Sequence, residues 1–145
     1  MGDNRGFTLI ELLVVIGILA ILLAITLVAI NPAQNLQQAE TQSRRSGATQ
    51  MLNAINQYMV DNNGDLPAGL GGVALTPIPI SDTGANICAE LVPDYIAALP
   101  EDGGDGIDST ECAATYTTGY AVSVDTTANR VKIDNIADNT ISVMR

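Results

Sequence analysis

An unbroken apolar run near the amino terminus constrains this chain more than any other feature. Residues 12–30 are 19 in number, and all are apolar except Gly17 and Thr26. As a helix with a rise of ~1.5 Å per residue, the run would span roughly the ~30 Å hydrocarbon core of a bilayer. The apolar cores of secretory signal peptides are shorter, about 7–15 residues. The run therefore predicts a transmembrane helix.

The sequence Asn31-Pro32 follows the run and interrupts the helix. Pro32 cannot donate a hydrogen bond to the carbonyl of Val28 and disfavours helical geometry at Asn31, which predicts a kink or a short break. Asn31 could also cap a second helical segment that begins at Pro32. Helical periodicity then continues to about Asp61, where a turn-forming Asn-Asn-Gly-Asp stretch ends it. One narrow apolar stripe marks the buried face of this segment: Ala48, Met51, Leu52, Ile55 and Met59.

The remaining residues, 63–145, predict a small domain with a thin core. Residues 69–85 predict a loop, and residues 87–99 predict a helical segment that Pro93 divides. From Tyr116 the hydrophobic period changes to 2, and residues 131–133 and 141–143 repeat that alternation after turn-forming residues. The sequence therefore predicts a three-stranded antiparallel meander whose apolar face packs on the helical stripe, an α+β arrangement.

Composition excludes several classes of function. The net charge is −10, and Lys132 is the single lysine among six basic residues. Such a chain lacks a basic surface able to neutralise several phosphates, which argues against direct nucleic-acid binding. The sequence has no histidine and only two cysteines. It therefore lacks the ligands for a transition-metal site and the residues for a His-dependent triad. With no nucleophile beside a base, we predict that the chain is not an enzyme.

The two cysteines, Cys88 and Cys112, lie in the thinly cored part of the chain. A small domain with few apolar residues gains much of its stability from a covalent link, and such links form in oxidising compartments. Two unlinked core cysteines are the alternative. We favour a disulfide between them.

Glu11 is a lone carboxylate inside an apolar stretch, with Phe7, Leu9 and Ile10 before it and Leu12 after it. A carboxylate near the centre of a bilayer costs roughly 2.5–3.5 kcal/mol, so an acid in such a segment is a functional candidate. The alternative, a charge at the headgroup level, does not explain the apolar turn that precedes it. If the chain is cut after Gly6, the new amine of Phe7 lies one helical turn from this carboxylate. The Glu11 of one copy could then neutralise the amine of the next and set their register.

Residues 6–16, Gly-Phe-Thr-Leu-Ile-Glu-Leu-Leu-Val-Val-Ile, resemble the prepilin cleavage and methylation motif of type IV pilins and type II secretion pseudopilins. The resemblance implies that a membrane prepilin peptidase cuts between Gly6 and Phe7 and methylates the Phe7 amine. It also implies that Glu11 guides assembly. A weaker resemblance covers the end of the second helical segment, residues 91–100 and the C-terminal sheet.

The resemblance implies a pilin-like α+β fold. Residues 1–6 are then a leader peptide and residues 7–30 the transmembrane and assembly half of a long helix kinked at Pro32. Residues 31–62 are its amphipathic half, which packs on the three-stranded sheet. Residues 63–145 form the globular head.

An acidic, glycine-rich loop over residues 101–111 admits two interpretations. Asp102, Asp105 and Asp108 could bind calcium (Ca²⁺), since a hard cation prefers oxygen ligands on a bent loop and major pseudopilins carry a calcium site in their C-terminal region. The spacing does not match an EF-hand, and acidic turns are usually solvated. We favour the solvated turn and expect no other cofactor.

These patterns predict a structural subunit of a type IV pilus-like filament. The first alternative is the major pseudopilin of a type II secretion system. The second, from another class, is a membrane-anchored binding or sensor module, which predicts no cut after Gly6. The expected partners are the prepilin peptidase/methyltransferase, identical or related subunits, membrane lipids before assembly and an inner-membrane assembly platform. The precursor is expected in the inner (cytoplasmic) membrane with its head outside the cytoplasm, and the assembled filament at the cell surface or in the periplasm.

Overall fold

A computed structural model describes residues 6–29, 31–71, 75–125, 127–128 and 130–145. The predicted leader therefore lies outside the described residues except for Gly6, as does Ile30 at the end of the apolar run. The chain divides into two compact units, Met1–Gln38 and Ala39–Arg145.

The amino-terminal unit is helical. Helix α1, Leu9–Ala29, has 21 residues, and none of them is buried. Helix α2, Pro32–Asp61, begins in this unit, and the backbone N–H of Gln34 donates to the side-chain oxygen of Asn31 at 3.4 Å. The interruption predicted at Asn31-Pro32 is therefore present as the end of one helix and the capped start of another. Proline suits this first helical position because its missing N–H has no intrahelical partner there.

Within the second unit, α2 presents its apolar stripe to the core. Four of the five residues of the predicted stripe are buried, and Met59 packs against them at the edge. The helix ends where Asn63 and Gly64 adopt positive φ angles of 57° and 94°, and the Gly64 N–H donates to the Met59 carbonyl at 2.7 Å. Positive φ at these positions satisfies the last helical carbonyls, as a glycine after a helix commonly does.

The sheet has four antiparallel strands in the order β1-β2-β3-β4. They are Ile78–Ser81, Thr117–Asp125, Arg130–Asn135 and Ser142–Met144. The last three strands confirm the predicted meander, with Val122 paired to Ile133 and Ile133 paired to Val143. Its inner face supplies buried residues to the same core as α2: Ile80, Tyr120, Val122, Val124, Val131 and Ile133.

The prediction of a loop over residues 69–85 was wrong for β1. Ile78 pairs with Val122 and Pro79 pairs with Ala121, so this segment forms an edge strand. An edge strand bonds on one side only, and it therefore tolerates a proline that a central strand would not. The helical segment predicted over residues 87–99 is also shorter, because α3 covers only Cys88–Leu91 before Pro93. Short 3₁₀ turns occupy Ala68–Leu70 and Glu111–Ala113.

Candidate assembly site

The predicted cleavage site lies in an open stretch of chain before α1. Residues 6–8 precede the helix, and the Phe7 side chain is 83% exposed. A methyl group added to Gly6 would meet no atom within 4 Å in the described structure. Packing among the described residues therefore places no requirement for glycine at this position.

Glu11 is held by Thr8 at the start of α1. The Glu11 carboxylate accepts from the Thr8 backbone N–H at 2.8 Å and from the Thr8 hydroxyl at 2.7 Å. In return, the Glu11 N–H donates to the Thr8 hydroxyl oxygen at 3.3 Å. This reciprocal pattern is a capping box, which satisfies backbone donors that a helix start otherwise leaves without partners. The carboxylate thus has hydrogen-bond partners in a single chain, before any contact with another subunit.

Thr8 is a site residue that the sequence reasoning missed. The signal was available, since a threonine followed three residues later by a glutamate before an apolar run is the pattern of a capping box.

Helix α1 is long and apolar enough to cross a membrane. Its 21 residues correspond to about 32 Å at 1.5 Å per residue, which matches the hydrocarbon thickness of a bilayer. Glu11 lies in its first turn. Apolar side chains exposed all round are typical of a helix that lipid or other chains cover.

In the second unit, Cys88 and Cys112 form the predicted disulfide. Cys88 is completely buried in the core, and the link connects α3 to the 3₁₀ turn Glu111–Ala113. The predicted pairing is confirmed.

Asp102 connects α2, its own loop and the sheet. One carboxylate oxygen accepts from Arg44 Nε at 2.7 Å, and the other accepts from the side-chain amide of the buried Asn135 at 3.1 Å. The hydrogen bond that Arg44 donates to the Asp102 carboxylate raises the pKa of Arg44. Tyr120 adds a contact from the sheet by donating its hydroxyl to the Arg44 carbonyl at 3.1 Å. Sequence reasoning missed this network, because its members are distant along the chain and carry no local pattern.

The structure does not bring the three predicted calcium ligands together. Asp102 is engaged as described, and Asp108 accepts from the N–H groups of Thr110 at 2.7 Å and Glu111 at 3.1 Å. These hydrogen bonds, first that from Glu111, lower the pKa of Asp108. In the part of the chain that the structure describes, no three acidic or cysteine side chains are grouped to hold a metal. Calcium binding through Asp102, Asp105 and Asp108 stays a prediction.

Comparisons with known proteins agree with the motif at the amino terminus. The prokaryotic N-terminal methylation motif matches residues 1–27. The type II secretion system core protein G of Klebsiella pneumoniae is 34% identical over 102 residues, which cover 70% of each chain. The protein of the same name from Pectobacterium carotovorum subsp. carotovorum is 35% identical over 100 residues, which cover 68% of this chain and 61% of that protein. No solved structure matches the chain.

Proposed function

The chain belongs to the family of the type II secretion system core protein G, a family of pilin-like structural subunits, and from this we propose that it is the repeating subunit of a secretion pseudopilus. The observation that carries the proposal is the 34% identity over 102 residues, which extends well beyond the methylation motif. The capped apolar helix and the α+β head are the two parts that such a subunit needs, one for the membrane and filament centre and one for the surface.

Processing is the first step of the proposed function. The matched motif implies a prepilin peptidase, and we place its cut between Gly6 and Phe7 and the methyl group on the Phe7 amine. The open chain around Gly6 supports this position, since a peptidase must reach the backbone on both sides of the scissile bond. Until that step the apolar α1 anchors the precursor in the inner membrane, with the head outside the cytoplasm.

Assembly is the second step, and Glu11 is its central residue. In the processed chain the Phe7 amine is positively charged, and inside an apolar helical core it requires a negative partner. We propose that the Glu11 carboxylate exchanges its bonds with Thr8 for the amine of a neighbouring subunit. Head-to-tail contacts whose rotation does not close produce an open helical fibre. An inner-membrane assembly platform would deliver subunits to its base.

The type IV pilus is the second candidate, and one feature of the head favours it. The Cys88–Cys112 disulfide closes a loop directly before the C-terminal strands, and such a closed loop favours a pilin. Both filaments need the same processed, membrane-derived subunit. In either one the chain has a structural role without enzymatic activity.

Deletion of the gene in its source cells separates the two filaments. We expect loss of protein export to the medium, while surface pili and surface motility persist. Loss of pili with unchanged export would instead assign the chain to a type IV pilus. Mass spectrometry of the mature protein tests the shared step, and a chain that retains Met1 in export-competent cells would overturn both assignments.

A further inference from the structure

A groove runs beside the outer face of α2 in the Ala39–Arg145 unit. It consists of two adjoining cavities of about 330 and 320 Å³ that share Gln50 in their lining. The first lies between α2 and residues 98–106, and the second lies between α2 and the side chains of Tyr95 and Ile96. Each cavity has the size of one or two side chains, and together they follow the helix from Ser43 to Gln57.

The groove has an uncharged side and one acidic end. The exposed residues that α2 contributes are all neutral: Ser43, Ser46, Gln50, Asn53 and Gln57. Glu101 and Asp105 stand at one end, and among the described residues neither carboxylate has a hydrogen bond or an ion pair. The Glu101 carboxylate lies directly over Gly104, where a side chain would displace it. Arg44 lines an adjoining cavity with Glu101, but its guanidinium pairs with Asp102, so this end of the groove offers two carboxylates with no ion pair among the described residues.

Arg45 is an exposed cation on α2 that lacks a partner carboxylate in the described part of the chain. Its neighbour Arg44 pairs with Asp102, Lys132 pairs with Asp134, and Arg145 donates to Asn53. With 3.6 residues per turn, Arg45 and Gln50 are about 140° apart around the helix. Arg45 therefore points away from the groove of its own head.

Self-association of this chain faces an electrostatic obstacle. Each copy carries a net charge of −10, so two heads repel one another unless a cation of one meets acids of the other. We propose that Arg45 of one copy docks at the Glu101–Asp105 end of the groove on a neighbouring copy. The neutral side of that groove then covers the turns of α2 on either side of the docked Arg45. The two surfaces lie on different sides of the helix, so the contact is head-to-tail, the kind from which an open fibre can grow. This inference rests on the proposed function, for which it names a subunit contact.

A charge-reversal experiment in the full chain tests the contact. We expect Arg45→Glu to lower the yield of filaments per processed subunit about tenfold, because like charges then face one another. Arg130→Glu is the matched control, since Arg130 is also exposed and has no ion pair among the described residues. It makes the same change of charge outside the groove and should leave the yield unchanged. Adding Glu101→Lys and Asp105→Lys to Arg45→Glu should restore filaments.

The outcomes distinguish this contact from the proposed function. Wild-type filaments that Arg45→Glu leaves intact would overturn the contact alone, as would equal losses from Arg45→Glu and Arg130→Glu. Failure of the triple variant to recover filaments, with its head still folded by tyrosine near-ultraviolet circular dichroism, would also overturn it. Processed wild-type subunits that form no filaments would overturn both proposals.

Discussion

The two units of this chain cover their apolar residues in different ways. The second unit has its own core, in which Met51, Ile55 and Tyr120 are at most 1% exposed. Among the described residues of the first unit, even the most covered large apolar side chain, that of Val14, is 51% exposed. Burial of apolar surface stabilises a fold by about 25 cal/mol per Å². The head gains this free energy within a single subunit. The described residues of the first unit bury no large apolar side chain within the chain, so they do not gain it there.

This difference separates the effects of substitution. A change in the head should alter the free energy of unfolding of a single subunit. A change in residues 7–29 should alter insertion or assembly and leave the head unaffected. All four tyrosines lie in the second unit and the chain has no tryptophan, so near-ultraviolet circular dichroism reports the folding of the head in the full chain.

The largest effect is expected at Glu11. Replacement by valine should abolish filaments, because the Phe7 amine of a neighbouring subunit would enter the apolar core without a partner. Insertion should become easier, though by less than the roughly 2.5–3.5 kcal/mol that a charge costs at the bilayer centre, because Glu11 lies in the first turn of α1. Cleavage after Gly6 should continue. The measurement is filament yield against processed, membrane-inserted subunit in the same cells, and the tyrosine melt should not change.

Glu11→Gln separates charge from capping. A glutamine side chain still offers an oxygen to the Thr8 N–H and hydroxyl, so it keeps the cap while removing the negative charge. We expect it to lose filaments as Glu11→Val does. Normal filaments from Glu11→Gln would show that the cap matters and the charge does not, and normal filaments from Glu11→Val would remove the assembly role altogether.

The second largest effect is expected in the head, at the disulfide. The two cysteines are 24 residues apart, and in the chain-entropy model closing a loop of this size stabilises the fold by about 3.5 kcal/mol. Replacing Cys88 and Cys112 together by alanine should lower the free energy of unfolding of the head by about that amount. Denaturant titration of the full chain in detergent, followed by the tyrosine signal, measures it. A loss below about 1 kcal/mol would mean that the core suffices without the link.

The sequence predicted those parts of the fold that depend on local patterns. Both helices, the buried stripe from Ala48 to Ile55 and strands β2 to β4 follow from hydrophobic periodicity. Strand β1 was missed because Pro79 removes a backbone donor and the flanking glycines and prolines indicate a loop. A strand with a proline is tolerated only at the edge of a sheet. Which strand lies at the edge depends on tertiary pairing, and a local sequence pattern does not show it.

The residues of the candidate site also fall into those that a local sequence pattern identifies and those that it does not. Gly6, Phe7 and Glu11 could be identified from one ordered motif, and Thr8 from its spacing to Glu11. The Arg44–Asp102–Asn135 network could not, because Arg44 and Asp102 are 58 residues apart and Asp102 and Asn135 are 33 apart. Charged residues at such distances meet only after the loop, helix and strand have packed.

One glycine in each unit tests whether substitutions in the two units differ in their effect on the stability of the head. A methyl group on Gly47 would lie 2.6 Å from the Tyr120 hydroxyl and 3.0 Å from Pro100, so Gly47→Ala should destabilise the head by about 1–3 kcal/mol. Gly17→Ala in α1 meets no atom within 4 Å and should leave the head melt unchanged. Thermal melts of both variants decide this. An equal change in the two would contradict the separation of the units.

The smallest effect is expected from acid, at Asp108 in the loop of the head. Hydrogen bonds from Glu111 and Thr110 lower the pKa of Asp108 relative to the unfolded chain. A lowered pKa contributes stability that is present above the ordinary aspartate pKa and is lost as the pH falls through the lowered value. The melting temperature of the head should therefore drop less between pH 7 and pH 3 in Asp108→Asn than in the wild type.

Asp108→Asn keeps an oxygen that can accept from both N–H groups, so it removes the titration without removing the turn. Some acid sensitivity should remain, because hydrogen bonds from Thr140 also lower the pKa of Asp138. An acid response identical to that of the wild type would exclude Asp108 as a contributor. The same pair of proteins tests calcium, which would raise the melting temperature of the wild type only if it binds the folded loop. If calcium raises the melting temperature of the wild type and not that of Asp108→Asn, the ion takes the place of the backbone N–H donors at the Asp108 carboxylate. The solvated-turn interpretation of residues 101–111 would then be wrong.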